Sequence, residues 1–138
     1  MNQRVRAVGH EHVTAEHTST LELTSDDWLT PAGDCIVGLE ATAVPADFDD
    51  AFVEACQSRD AEITATLRVG GDEQVIEGRG DPALTFEDDR SMVLRTSDYV
   101  DDRTVMVGAD TAAAGLDRGI VDRLADGAEL ECLLAVER

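Results

Sequence analysis

The chain has no lysine. All 11 basic residues are arginines, set against 30 aspartates and glutamates, and the net charge is −19. Aromatic residues make up only 4% of the chain. Phe48 and Phe52 fall on a helical core stripe, so the sequence supplies no platform on which bases could stack. With so few cations and no such platform, nucleic acid is not a favoured partner. Three cysteines without a CxxC spacing exclude a disulfide framework. No stretch of about 18 apolar residues occurs, and Met1-Asn2-Gln3-Arg4 leads into no apolar segment, so the expectation is a cytoplasmic protein with neither membrane span nor secretion signal. Without a GxSxG, Walker-type or GxGxxG motif, serine-hydrolase and nucleotide-loop readings lack support.

What the chain does have is a globular composition. It is 138 residues long and 43% hydrophobic, which suits a single domain spanning residues 1–138. Its acids are spread along the whole length instead of forming one tail, a pattern read here as adaptation to molar salt. At about 1 M salt the screening length falls to about 3 Å, which removes most of the self-repulsion such a charge would otherwise cause.

Two halves run in parallel, about residues 4–70 and 73–138. Thr24-Ser25-Asp26 matches Thr96-Ser97-Asp98, Ile36-Val37-Gly38-Leu39-Glu40 resembles Met106-Val107-Gly108-Ala109-Asp110, and Asp60–Leu67 resembles Gly127–Leu134. Alternating apolar positions predict strands around Val5, Leu21, Val37 and Ile63–Val69, then around Val75, Val93, Val105 and Leu130–Val136. One helix is expected over about Asp47–Gln57, capped by Asp47, and another from about Gly115–Asp117 with Leu116, Ile120 and Leu124 on one stripe. Interior Gly119 weakens the second by about 1 kcal/mol. The fold class is therefore α+β: duplicated β-β-β-α-β units forming a pseudo-twofold, mostly antiparallel, barrel-like sheet with two helices. Two separate ferredoxin-like sheets divided at residues 70–82 are the alternative.

Chemistry-capable residues concentrate in the first half. Gly9-His10-Glu11-His12 on a strand would put both imidazoles on one face, but no second ligand pair follows, so no metal site is assigned and no cofactor is implied. Thr20, Glu22 and Thr24 form one polar strand face. In Pro31-Ala32-Gly33-Asp34-Cys35, Pro31 and Gly33 fix a turn, Asp34 accepts from nearby amides, and Cys35 opens a strand within reach of a His17 base. Cys56 and Cys132 read as small buried hydrophobes. Trp28 and Tyr99, in matching loops of the two halves, are expected to wedge those loops.

Residues 9–41, with Gly9-His10, His17-Thr18-Ser19-Thr20-Leu21-Glu22-Leu23-Thr24 and Leu29-Thr30-Pro31-Ala32-Gly33-Asp34-Cys35-Ile36-Val37-Gly38, resemble the signature of an archaeal domain-of-unknown-function family, numbered three hundred and seventy-one. The sequence departs from that pattern at His12, where an asparagine is expected, and at Ser19, where a threonine is expected. The resemblance implies an archaeal, cytoplasmic protein, carries no reaction with it, and emphasises His10, His17, Thr20, Glu22, Thr24, Gly33, Asp34 and Cys35. Two functions compete. One is a site for a small polar metabolite or nucleotide, with His17, Glu22, Asp34 and Cys35 as its reactive groups and His10, Thr20 and Thr24 binding. The other is a non-enzymatic module that docks RNA or a protein partner. An exposed strand edge would favour a homodimer.

Overall fold

The structure, a computed structural model, describes residues 1–138. The period-two segments form eight strands: β1 (Asn2–Val8), β2 (Thr20–Thr24), β3 (Ile36–Gly38), β4 (Glu62–Val69), β5 (Asp72–Arg79), β6 (Ser91–Arg95), β7 (Thr104–Met106) and β8 (Glu129–Glu137). The two helices are α1 (Asp50–Cys56) and α2 (Arg118–Ala125), each preceded by a 3-10 turn, Pro45–Asp47 and Ala113–Gly115. Neither is long and apolar enough to cross a membrane.

The strands form two four-stranded sheets. One, ordered β1-β8-β4-β5, is antiparallel throughout; in the other, β3-β2-β6-β7, the central β2–β6 pair is antiparallel and both outer pairs are parallel. Strands from the two ends of the chain interleave in each sheet, which rules out a division into two independent sheets at residues 70–82. The expected barrel is likewise corrected. A single residue pair joins the sheets at each seam, Val8 with Leu39 and Arg79 with Val107, and the ladder does not close.

Between the sheets lies one cluster of 34 buried residues, to which the strands contribute alternate positions such as Leu21 and Leu23, Ile63, Ala65 and Leu67, and Leu130, Cys132 and Leu134. Full burial of each large aliphatic side chain removes about 1.5–3 kcal/mol of hydration cost. Phe48 and Phe52 pack edge to face at 5.7 Å, and Phe86 joins them at 5.9 and 6.3 Å. Cys56 and Cys132 are fully buried, as their apolar neighbours predict.

The first helix is shorter than its apolar stripe suggests. Asp47 does not cap it; its carboxylate accepts from the Val44 amide at 3.1 Å and holds the 3-10 turn, and α1 starts after Asp49. In α2, Asp117 caps the Gly119 and Ile120 amides at 2.9 and 3.3 Å. Gly119 therefore lies in the first turn, where its amide would otherwise lack a partner, and not in the helix interior. The end of each helix abuts a glycine. A Cβ on Gly9 would run into the Leu124 carbonyl, and one on Gly80 into the Cys56 carbonyl.

Candidate functional site

Parallel neighbours cannot be joined by a tight turn. Residues 25–35 and 96–103 therefore cross over the outer face of the β3-β2-β6-β7 sheet and turn it into a partly covered, polar concavity. Register fixes what faces that space. Thr20, Glu22 and Thr24 lie directly opposite Arg95, Val93 and Ser91, and Ile36 of β3 flanks Glu22 on its other side.

Glu22 is the centre of the arrangement. Its side chain is only 13% exposed, and burial between Ile36 and Val93 pushes its carboxyl above the usual range, with Arg103 pulling the other way. The one ion-pair contact is long, Arg103 Nη1 to Oε1 at 3.4 Å, and Arg103 also donates to Asp101 at 3.2 and 3.4 Å. Glu22 Oε2 makes no hydrogen bond within the protein, yet it is not sealed off. It opens towards a cavity of about 310 Å³ lined by Glu22, Thr24, Trp28, Ile36, Ser91 and Arg103, with Asp26, Asp88 and Arg90 at its rim. Ser91 is 4% exposed, and its hydroxyl has no partner. Trp28 is 57% exposed, so it does not wedge its loop as expected. Tyr99 is exposed too, with the Arg95 guanidinium 4.9 Å from its ring centre.

Behind this opening stands a saturated network. Buried Arg95 donates to Thr104 Oγ1 and to Asp101 Oδ2, both at 2.9 Å. Burial tends to raise the Asp101 carboxyl, but the Thr104 hydroxyl, the Arg103 amide and two guanidiniums outweigh it and hold it below its ordinary value. At the rim, Arg90 grips Asp26 bidentately at 2.9–3.1 Å, which lowers the Asp26 carboxyl.

The residues singled out from sequence divide into two groups. Thr20, Glu22, Thr24 and Cys35 share the β2–β3 face. His17 borders them, but its Nδ1 accepts from the Ser19 and Thr20 amides at 3.2 and 3.1 Å and lies 3.0 Å from Thr20 Oγ1. That geometry needs an unprotonated Nδ1 and makes the ring a cap on β2. Asp88 does the same before β6, accepting from Arg90 and Ser91 amides at 3.0 and 2.7 Å. Cys35 is half-buried, and burial followed by the Glu22 charge raises its thiol, against a lowering by Thr20. A raised thiol is a poor nucleophile, and the expected Cys35–His17 dyad has no contact behind it. Asp34 differs from the expected Asx turn. Its side chain accepts no hydrogen bond, while its main-chain carbonyl takes the Glu16 and His17 amides at 3.0 and 3.3 Å.

His10 lies elsewhere. Residues 9–12 leave β1 in a turn, not a strand, with Gly9 bonded to the Ala128 carbonyl near the end of α2. Its ring lies 5.1 Å from that of His12, tilted by 36°, and accepts a local bond from the His12 amide; no third metal-ligating side chain joins the pair. A larger groove of about 600 Å³ runs beside β1 and β8. Arg6 and Arg68 in it, with Arg4 beside it, share Glu131 at 3.5–3.8 Å, long and exposed ion pairs of small energetic weight.

Sequence reasoning missed Arg95, Asp101, Arg103 and Ser91, every one from the second half of the chain. The spacing of Glu22 within β2 was visible, but its partners depend on β6 lying beside β2.

Comparison with known proteins adds kinship. A family model described as a domain of unknown function (DUF371) matches residues 5–137. A relative from the archaeon Methanocaldococcus jannaschii, the uncharacterized protein MJ0206, is 37% identical over 126 residues, covering 91% of this chain and 93% of its own.

Proposed function

The chain belongs to the DUF371 family, and from the geometry of its site we propose that it binds a small polar metabolite in the concavity over Glu22. One observation carries the reading. A carboxylate with a side chain only 13% exposed keeps an unpartnered oxygen at the mouth of a cavity of about 310 Å³. Burying a charge without full pairing costs folding energy, and such a cost is expected where the group meets a ligand. In this reading Glu22, Thr24 and Ser91 bind, Arg103 yields Glu22 to the ligand and keeps Asp101, and Thr20 and Cys35 adjoin Glu22 outside the cavity lining. His17 positions β2, and Asp34 holds the loop that ends at Cys35. His10 has no part in it.

A panel of nucleosides, amino acids and amines tests this by thermal shift in molar KCl. Ligands that raise the melting temperature of the native chain but not of Glu22→Gln support the site. If no compound distinguishes the two proteins, the reading fails, and the exposed pair Trp28 and Tyr99 becomes the better guide, pointing to a docking face for a macromolecular partner.

The wider reading rests on similar grounds. The strand-strand-strand-helix-strand order occurs twice, and each sheet order, β1-β8-β4-β5 and β3-β2-β6-β7, maps onto itself in reverse under a swap of halves. That supports duplication of about residues 4–70 and 73–138 in one domain with its core between two sheets. The absence of lysine and the net charge of −19 support a haloarchaeal, cytoplasmic protein.

A further inference from the structure

Resting on that reading of the Glu22 site, we infer that its ligand presents a planar guanidino donor, two parallel N–H groups on one flat nitrogenous unit. Guanidinium compounds carry this unit as a cation, and the guanine ring carries it in neutral form.

Four features on different elements converge on this chemistry. Glu22 supplies a desolvated carboxylate with a free oxygen, and a carboxylate is matched best by two parallel N–H donors. Trp28 supplies an exposed aromatic surface on the wall of the same cavity, which favours a flat, delocalised group over a compact, strongly hydrated ammonium. Ser91, a largely buried residue on the cavity wall, supplies a hydroxyl that makes no hydrogen bond within the protein but is open to the cavity, able to accept a third N–H. Two neighbouring carboxylates already hold this kind of group, while Asp88 is taken up by backbone amides. Asp26 takes the Arg90 guanidinium bidentately at 2.9–3.1 Å, and Asp101 takes those of Arg95 and Arg103 at 2.9 and 3.2 Å. Glu22 alone holds its guanidinium at a long 3.4 Å and by a single oxygen. Aligned in the strand with saturated carboxylate–guanidinium pairs on both sides, it is the position where one more such group can be received.

Trp28 is the only tryptophan and lines this cavity, so a change in its emission reports from the cavity wall. The experiment titrates the full chain in molar KCl with agmatine and guanosine, each paired with a counterpart lacking the donor pair, putrescine for agmatine and adenosine for guanosine. The expected result is a saturable change in Trp28 emission with at least one guanidino probe, weakened about tenfold or more by Glu22→Gln and about fivefold by Ser91→Ala, while both variants keep the native melting transition. Agmatine alone identifies a guanidinium ligand, and guanosine alone identifies the guanine ring. Equal response to putrescine or adenosine, or a guanidino response untouched by Glu22→Gln, overturns the inference. If neither guanidino probe binds but another metabolite does so through Glu22, the inference falls and the site stands. If nothing binds, both fall.

Discussion

Arg95→Met and Glu22→Gln, two substitutions on one sheet face, should have opposite consequences. Arg95 is 8% exposed and holds Thr104 Oγ1 and Asp101 Oδ2, both at 2.9 Å. Methionine keeps an unbranched apolar stem but strips both bonds, leaving a buried hydroxyl and a carboxylate short of donors. Removing one partner of a buried pair costs about 3–5 kcal/mol. Asp101 is a quarter exposed and keeps Arg103, so the lower end applies, about 3 kcal/mol, or about 10 °C in melting temperature for a chain of this size. Glu22→Gln removes only a 3.4 Å contact, and Arg103 retains Asp101. Exchanging a desolvated carboxylate for an amide should change stability at neutral pH by less than about 1 kcal/mol, in the stabilising direction. The pH dependence has a fixed sign. Because the folded state raises the Glu22 pKa, it binds that proton more tightly than the unfolded chain does. The native protein should therefore gain stability relative to Glu22→Gln as pH falls through the folded-state pKa of Glu22, and lose it as pH rises through that value. Calorimetry of the three proteins in molar KCl across the acidic range measures both effects. A loss for Glu22→Gln as large as that for Arg95→Met would refute the reasoning and make Glu22 part of the scaffold.

Three further outcomes follow from local geometry. Asp117→Ala should cost about 1 kcal/mol by freeing the Gly119 and Ile120 amides, seen as a lower urea midpoint with an unchanged slope. Gly80→Ala and Gly9→Ala should each destabilise by about 1–3 kcal/mol or more, because each Cβ meets a helix-terminal carbonyl that cannot rotate away; a neutral result in either denaturation curve would show that the helix end gives. All three cysteines should resist a brief exposure to iodoacetamide at neutral pH, since burial pushes Cys56 and Cys132 up to about 12 and raises Cys35 as well. Mass spectrometry should find one or more labels only after unfolding, and rapid labelling of native Cys35 would restore it as a nucleophile.

The elements were legible because burial is periodic. Ile63, Ala65, Leu67 and Val69 alternate without a break, and β4 runs across them; Ile120 and Leu124 announce α2. What the sequence concealed were positions fixed by hydrogen bonds from distant segments. Asp47 has the residue type and place of a helix cap, yet the Val44 amide lies nearer and ends the turn early. His10 and His12 alternate like strand residues, but Gly9, bonded to Ala128, is the last residue in register with the β8 segment, and the amides of His12 and Val13 then bond back to His10 and turn the chain. The candidate site was half visible for the same reason. Thr20, Glu22 and Thr24 announce a polar face by spacing alone, whereas Ser91, Arg95 and Arg103 reach it only through the β2–β6 pairing, some 70 residues along the chain.

That pairing also explains why Glu22 differs from every other carboxylate here. His17 and Asp88 cap their strands with matching pairs of amide bonds, so β2 and β6 enter the sheet alike, and their middle residues, Glu22 and Val93, lie directly opposite. A second glutamate at Val93 would set two charges against each other at the closest point of the sheet. Valine, 2% exposed, withholds water from Glu22 instead, and Ile36 does so from the other side. If this apolar flank is the source of the desolvation, Val93→Thr should bring the Glu22 carboxyl back towards its ordinary range, since a hydroxyl replaces a methyl beside it and can donate to the carboxylate. Carbon-13 titration of the Glu22 carboxyl in the folded variant measures this directly. An unchanged titration would transfer the effect to the crossing loops, and then Trp28, not Val93, would be the residue that keeps water from the site.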